Sequence, residues 1–153
     1  RAARLESHEA GSNLRMSEVS AAIGRIQLKR LDDWLVRRRA IAERYRTAFE
    51  GLEGLVVPAV RPGTQHAWHQ YCLLADDPAG LRAALEEANI DSRIYYATPI
   101  HRQQVYADHP QFNADLPVTD DVTHRLVAIP VHHQMTDDEV ERVVAAVQAS
   151  VVS

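Results

Sequence analysis

The residues most suited to chemistry lie between Gly11 and Glu18, where a short polar loop leads into the start of an amphipathic helix. A glycine lets the backbone approach a ligand closely, and Asn13 and Arg15 supply hydrogen-bond donors beside it. Free N–H groups at the start of a helix attract anions. The junction therefore predicts contacts to an anionic group such as a phosphate.

The sequence contains a single lysine, Lys29, so it offers one amine that could attach a carbonyl cofactor covalently. Lys29 lies about 140° from the centre of the apolar face of its predicted helix, which points it towards solvent or a partner. Together with the junction at Gly11–Glu18, this predicts a chain that helps to bind a phosphate-bearing cofactor but cannot itself attach it.

Other catalytic and metal-binding patterns are absent from the sequence. The eight histidines form no His-Glu-x-x-His motif, and no cysteine pair or carboxylate cluster has metal-ligand spacing. His66 and His69 lie three apart in a predicted strand and would face opposite sides. No Walker loop, Gly-x-Ser-x-Gly or dinucleotide motif is present. We therefore predict no metal site and find no support for a hydrolase, kinase or dehydrogenase.

The composition, 46% hydrophobic and 25% charged over 153 residues, is typical of one globular core. No apolar run is long enough to span a bilayer and no signal peptide opens the chain, so we expect no membrane partner. The single cysteine, Cys72, fits a reducing cytoplasm. The run Arg37–Arg39 lacks interleaved aromatic residues, so we interpret it as a solvated helix face and exclude a nucleic-acid partner.

The elements that must position these residues predict an α+β fold. A helix capped by Ser17 should run to about Phe49, kinked once, with its apolar positions on one face: Val19, Ile23, Leu31, Trp34, Ile41, Tyr45 and Leu52. Further helices should follow Asp77-Pro78, Pro117 and the Thr136 capping box. Three strands complete a small, mostly antiparallel sheet, predicted at Leu55–Val57, Ala67–Leu74 and Ile94–Tyr96.

Three motifs in order resemble the DegT/DnrJ/StrS family of nucleotide-sugar aminotransferases. The first is Gly11-x-Asn13-x-Arg15-Met-Ser-Glu, continuing into Ala-Ala-Ile-Gly and Gln-Leu. The second is His66-x-Trp-His-x-Tyr, and the third, Tyr95-Tyr-Ala-Thr-Pro-Ile-His-x-Gln, is similar to the family's His-Tyr-Pro-x-Pro-Leu-His-x-Gln. The third departs from the family at Tyr95 and Ala97. The closing Ile129-Pro130 and the capped terminal helix also fit the family.

The resemblance implies the C-terminal part of a pyridoxal 5′-phosphate enzyme with the aspartate-aminotransferase fold, known as fold type I. Residues 1–16 would end the large domain and residues 17–153 would form the small domain. In the family the Schiff-base lysine belongs to the large domain, so no catalytic residue is expected in this segment. Lys29 lies in the helix after the Asn-x-Arg motif, where the family has no catalytic lysine.

The resemblance also assigns binding residues. Asn13 would contact the cofactor phosphate in the neighbouring subunit of a homodimer, and Arg15 would line or brace that pocket. Tyr96, His101 and Arg102 would approach the sugar or its diphosphate. The residues alone leave simpler alternatives: Asn13 makes a turn, Arg15 forms a surface ion pair, Tyr96 packs on the core and His101 caps a short helix.

The function that the resemblance implies is transfer of an amino group, commonly from glutamate, to a nucleotide-linked keto sugar in polysaccharide or secondary-metabolite biosynthesis. Two alternatives stay open. One is a sugar dehydratase of the same family, in which histidine replaces the cofactor lysine. The other is a dimerisation or regulatory module that has lost catalysis.

Overall fold

A computed structural model of the chain describes residues 15–112 and 114–152. The chain forms two compact units, which divide between Asp32 and Asp33. Compact units are not the same as domains, so the domain boundary predicted between residues 16 and 17 stays a prediction. None of the helices within the described ranges is both long and apolar enough to cross a membrane.

The predicted long helix is two helices, α1 (Glu18–Leu28) and α2 (Leu31–Phe49). Ser17 caps α1 as expected, because its hydroxyl accepts a hydrogen bond from the backbone N–H of Ser20 at 3.1 Å. The helix ends in a tight turn at Lys29, which is exposed as predicted. The break contains neither glycine nor proline, which explains why the sequence suggested only a kink.

The apolar stripe predicted along these helices is buried only in the C-terminal half of α2: Leu31 at the start of α2 is 40% exposed, and Trp34 is half-buried. Ile41, Ala42, Tyr45 and Phe49 are buried in α2, whereas α1 has no buried residue. The apolar side chains on and next to α1 are between 51% and 76% exposed: Met16, Val19, Ile23, Ile26 and Leu28. Such a stripe is typical of a surface that another chain or domain covers.

The sheet is small and antiparallel, which confirms the predicted α+β class. Its strands are β1 (Leu55–Val56), β2 (Tyr71–Ala75) and β3 (Leu126–Ile129), in the order β1-β2-β3. Leu55 pairs with Ala75, and Tyr71 pairs with Ile129. The central strand β2 alternates buried and half-buried residues, as expected for a strand between two covering layers.

Two predicted strands need correction. β2 begins at Tyr71 and not at Ala67, because Trp68 has a φ of 49°, which a strand does not allow. Ile94–Tyr96 does not form the third strand. The residue before it, Arg93, forms a single isolated β-bridge with Ala128. The third strand is β3, which pairs with β2 on the side opposite β1; the sequence does not predict it because it follows a helix directly, without a turn signal.

The remaining helices agree with their capping signals. They are α3 (Pro78–Glu87), α4 (Pro117–Arg125) and α5 (Asp137–Val152). Asp77 accepts from the backbone N–H of Gly80 at 2.9 Å, and Asn89 ends the following turn with a φ of 55°. Three short 3₁₀ turns lie between α3 and α4, at Ile100–Arg102, Gln104–Tyr106 and Pro110–Phe112.

The core lies between the sheet and the helices α2, α3 and α5. The stripe predicted in the terminal helix is buried as expected, and it comprises Val140, Val143, Val144 and Val147. Full burial of such a side chain contributes about 1.5–3 kcal/mol relative to exposure. Tyr45 contacts the rings of both Phe49 and Tyr71, at centroid separations of 5.6 and 5.2 Å. These contacts fix α2 against β2.

Two arginines of the run on α2, Arg37 and Arg38, make structural contacts, whereas we interpreted the run as a solvated helix face. All three arginines are half-buried. Nη1 of Arg38 donates to the backbone carbonyls of Trp68 and Val131, both at 2.6 Å. These carbonyls lie before β2 and after β3, so Arg38 ties α2 to the ends of both strands. The charge serves backbone groups that would otherwise lack partners.

Candidate functional site

Two of the predicted substrate residues, His101 and Arg102, lie in the first 3₁₀ turn after Pro99. Backbone hydrogen bonds close this turn, because the N–H of Arg102 donates to Pro99 at 2.9 Å. Nε2 of Gln103 donates to the carbonyl of Thr98 at 2.8 Å, which fixes the turn from the other side. The turn therefore presents its side chains from a well-determined backbone.

The structure brings His101 and Arg102 together at Asp120, in the first turn of α4. Nη2 of Arg102 donates to Oδ2 of Asp120 at 2.7 Å, and Nε2 of His101 lies 3.4 Å from Oδ1. The His101 side chain is only 8% exposed, whereas that of Arg102 is 50% exposed. His101 thus lies behind the ion pair, and Arg102 faces outwards.

The charges of this cluster support one another. The hydrogen bond from Arg102 lowers the pKa of Asp120, with smaller electrostatic contributions from Arg102, His101 and His124. Asp120 also lies among the unpaired N–H groups of the first turn of α4, which favour a negative charge. Asp120 is therefore ionised at neutral pH and holds the guanidinium of Arg102 in place.

Tyr96, the third predicted substrate residue, is 76% exposed. Its ring lies 6.0 Å from that of Tyr95, centroid to centroid. This exposure excludes the alternative in which Tyr96 packs on the core. Its hydroxyl is accessible to a ligand, as is the outer part of Arg102.

The predicted phosphate contacts are Asn13 and Arg15. Asn13 lies outside the described residues. Arg15 is exposed and precedes Ser17, the cap of α1, in the chain. A guanidinium beside a helix start fits a phosphate chemically. Lys29, in contrast, is exposed in the turn between α1 and α2.

The His-x-Trp-His-x-Tyr motif serves the core. Trp68 and Tyr71 are buried, and their ring centroids lie 5.1 Å apart. Nδ1 of His66 accepts a hydrogen bond from the backbone N–H of Trp68 at 2.9 Å, which supports the left-handed conformation of Trp68. Through these contacts the motif positions the start of β2.

Two other kinds of site, a metal site and a cleft, were considered in the described residues. In residues 15–112 and 114–152, no three His, Cys, Asp or Glu side chains are grouped closely enough to hold a metal ion. A cleft of about 610 Å³ lies between α2 and the loop before β2, and it contains none of the predicted site residues.

Asp120 is the residue that sequence reasoning missed, because only the folded chain brings α4 to the turn of His101. Its one local signal is an acidic side chain in the first turn of a helix.

Comparison with known proteins places these features in a family. The model of the DegT/DnrJ/EryC1/StrS aminotransferase family matches residues 1–148. The chain is 30% identical over 139 residues to the erythromycin biosynthesis sensory transduction protein EryC1 of Saccharopolyspora erythraea, covering 91% of this chain and 38% of that protein. It is 32% identical over 143 residues to the dTDP-3-amino-3,4,6-trideoxy-alpha-D-glucose transaminase of Streptomyces venezuelae, covering 93% and 38%.

Solved structures agree with the sequence relatives. The crystal structure of S. venezuelae DesV in complex with a ketimine intermediate is similar with a TM-score of 0.86 and 28% identity, covering 96% of this chain and 40% of that chain. A DegT DnrJ EryC1 StrS aminotransferase from Brucella abortus gives a TM-score of 0.85 and 27% identity, covering 97% and 39%. The chain therefore spans about two fifths of the length of the relatives it matches.

Proposed function

The chain belongs to the DegT/DnrJ/EryC1/StrS aminotransferase family, and we propose that it is the C-terminal part of an enzyme that aminates a nucleotide-linked keto sugar. The amino donor is an amino acid, with glutamate the first choice. The match of residues 1–148 to the family carries this proposal. Relatives named as transaminases of dTDP-linked amino sugars support the substrate class. We propose the cytoplasm as the location.

The cofactor of the proposed enzyme is pyridoxal 5′-phosphate, which when bound supplies the electron sink that amino transfer requires. Asn13 and Arg15 would hold its phosphate through hydrogen bonds and charge. Attachment falls to a lysine outside this chain, because Lys29 is exposed in the turn between two helices. The chain's contribution is therefore binding, not the proton transfers of the reaction.

Tyr96 and Arg102 would meet the nucleotide sugar. The guanidinium of Arg102 is half exposed and has further N–H groups available beyond the one that it gives to Asp120. A diphosphate is a dianion with several acceptor oxygens, which suits this planar set of donors. The exposed hydroxyl of Tyr96 adds a neutral donor or acceptor for a sugar hydroxyl. His101 supports Arg102 from behind.

We further propose a homodimer in which the loop containing Asn13 completes the cofactor pocket of the partner subunit. The exposed apolar side chains of α1 support this arrangement, because a second subunit would remove them from water. Asn13→Ala in the full-length enzyme should then weaken cofactor retention on dialysis, while Glu87→Ala at the exposed end of α3, outside the three motifs, should not. Equal retention in both variants would remove the phosphate role of Asn13.

The function is tested with the full-length protein, pyridoxal phosphate, glutamate and a panel of dTDP- and UDP-linked keto sugars. Mass spectrometry should detect a nucleotide amino sugar together with 2-oxoglutarate, formed only when glutamate is present. Loss of a sugar hydroxyl without amination would indicate the dehydratase instead. No conversion of any sugar in the panel would contradict the proposal.

A further inference from the structure

Asp120 contacts both side chains of the turn that faces the proposed substrate. One carboxylate oxygen accepts from Arg102 at 2.7 Å, and the other lies 3.4 Å from Nε2 of His101. The three residues come from two elements, the 3₁₀ turn at Ile100–Arg102 and helix α4. Asp120 is thus the point at which the turn is held to the helix.

His101 is placed to support this contact rather than to bind a ligand. Its Nε2 atom is buried and makes no hydrogen bond within the described part of the chain. A buried polar atom without a hydrogen bond is costly, and the carboxylate of Asp120, 3.4 Å away, forms an ion pair with it when the imidazole is protonated. The ring fills the space behind the Asp120–Arg102 pair, and a ligand in solvent has little access to it.

Arg102 is the side chain whose direction depends on Asp120. An arginine has several rotatable bonds, and holding it in one rotamer costs entropy. The contact with Asp120 fixes one edge of the guanidinium and leaves the remaining donors in fixed directions. No other hydrogen bond or ion pair of the Arg102 side chain occurs among residues 15–112 and 114–152. Asp115 also acts on Arg102 electrostatically, but without Asp120 the guanidinium would lose the hydrogen bond that fixes its direction.

We propose that Asp120 is the positioning residue of the nucleotide-sugar site: it orients the guanidinium of Arg102 towards the diphosphate and keeps His101 packed behind it. This inference rests on the proposed function. Asp120 itself does not touch the substrate. Its effect is to pre-organise Arg102, so its loss weakens binding of the nucleotide sugar and leaves the chemical step and the amino donor unaffected.

Asp120→Asn in the full-length enzyme removes the charge and preserves the shape of the side chain. We expect the KM for the nucleotide sugar to rise about tenfold, with kcat and the KM for glutamate within about twofold of the wild type. The matched control is Asp121→Asn, which removes the neighbouring carboxylate, 3.5 Å from Arg125 and away from Arg102. The control should leave all three constants near their wild-type values.

A second measurement tests the packing of His101 against Asp120 independently of enzyme activity. Deuterium exchange at the C2 carbon of histidine, followed by peptide mass spectrometry, should be slow at His101 and faster at the exposed His132. Asp120→Asn should speed exchange at His101 by about threefold or more and leave His132 unchanged. Asp121→Asn should change neither histidine.

The outcomes separate this inference from the proposed function. If the wild-type enzyme aminates no nucleotide sugar, the proposed function fails, and exchange at His101 still decides whether Asp120 holds the turn. An unchanged KM in Asp120→Asn, equal rises in both Asn variants, or unchanged exchange at His101 would each overturn the inference. If Asp120→Asn does not fold, Arg102→Lys, which loses the planar set of donors, should raise the same KM about tenfold. A wild-type KM in that variant would also overturn it.

Discussion

Tyr45 and Tyr71 are two buried tyrosines whose hydroxyl groups have different surroundings. The hydroxyl of Tyr45 donates to the carbonyl of Pro130 at 2.9 Å, whereas that of Tyr71 is buried without a hydrogen-bond partner in the described residues. Tyr45→Phe should therefore cost about 1 kcal/mol, and Tyr71→Phe should be neutral or stabilising. Amide hydrogen exchange of β2 and β3 in the full-length protein measures the difference. Equal destabilisation by both substitutions would contradict this description of the core.

The same two residues predict sensitivity to alkali. Burial raises the pKa of Tyr71 to about 12, and burial likewise raises the pKa of Tyr45 well above its ordinary value of 10.0. The folded state therefore keeps these protons at pH values where the unfolded chain releases them. The resulting stability is complete below pH 10 and is lost as the pH rises towards 12. Urea unfolding between these pH values should show the loss, and Tyr71→Phe should reduce it.

For single residues, the sequence indicated the exposed hydrogen-bond donors but not the contacts that the folded chain forms between distant residues. Tyr96 and Arg102 are exposed as a binding role requires, and their assignment came from the resemblance to a family motif. Asp120 could not be found in this way, since its importance depends on a contact across the fold. The roles of Asn13 and Arg15 stay predictions: Asn13 lies outside the described residues, and Arg15 is an exposed residue just before α1.

The capping box at the start of helix α5 should contribute measurably to the stability of that helix. The hydroxyl of Thr136 accepts from the backbone N–H of Glu139 at 3.2 Å, and the Glu139 carboxylate accepts from the backbone N–H of Thr136 at 2.8 Å. Thr136→Ala should reduce the free energy of unfolding of α5 by about 1 kcal/mol. Amide exchange in the first turns of α5 is the measurement.

The control for this prediction is Thr47→Ala on α2. Thr47 lies within a helix, where its hydroxyl bonds to the backbone carbonyl of Glu43 and caps no helix start. Alanine has the higher helix propensity, so this substitution should be neutral or slightly stabilising. An equal loss of stability in both variants would show that the capping box contributes nothing specific.

Elements were predictable where their signals are local. The starts of α3 and α5 follow from Asp77-Pro78 and Thr136, because caps act within one helical turn. β3 was missed, since a four-residue apolar strand is defined by its pairing with β2 and not by its own sequence. Trp68 shortened β2 for a related reason: its left-handed backbone depends on His66 and on the carbonyl contact of Arg38.

At the scale of the whole molecule, we propose that the chain holds only part of an active site. It spans about two fifths of its relatives, it has an exposed apolar helix in α1, and its only lysine lies in an exposed turn. The proposed substrate groups, Tyr96 and Arg102, face outwards from the small sheet domain. These properties fit a small domain whose site is completed by a large domain and by a second subunit.

The most direct test of this account is to map where the cofactor attaches in the full-length protein. The protein is loaded with pyridoxal phosphate, reduced with borohydride, digested and examined by peptide mass spectrometry. We predict one pyridoxyl-modified lysine, located outside these 153 residues. Modification at Lys29 would contradict the division between binding in this chain and attachment elsewhere, and no modified lysine at all would contradict the aminotransferase assignment.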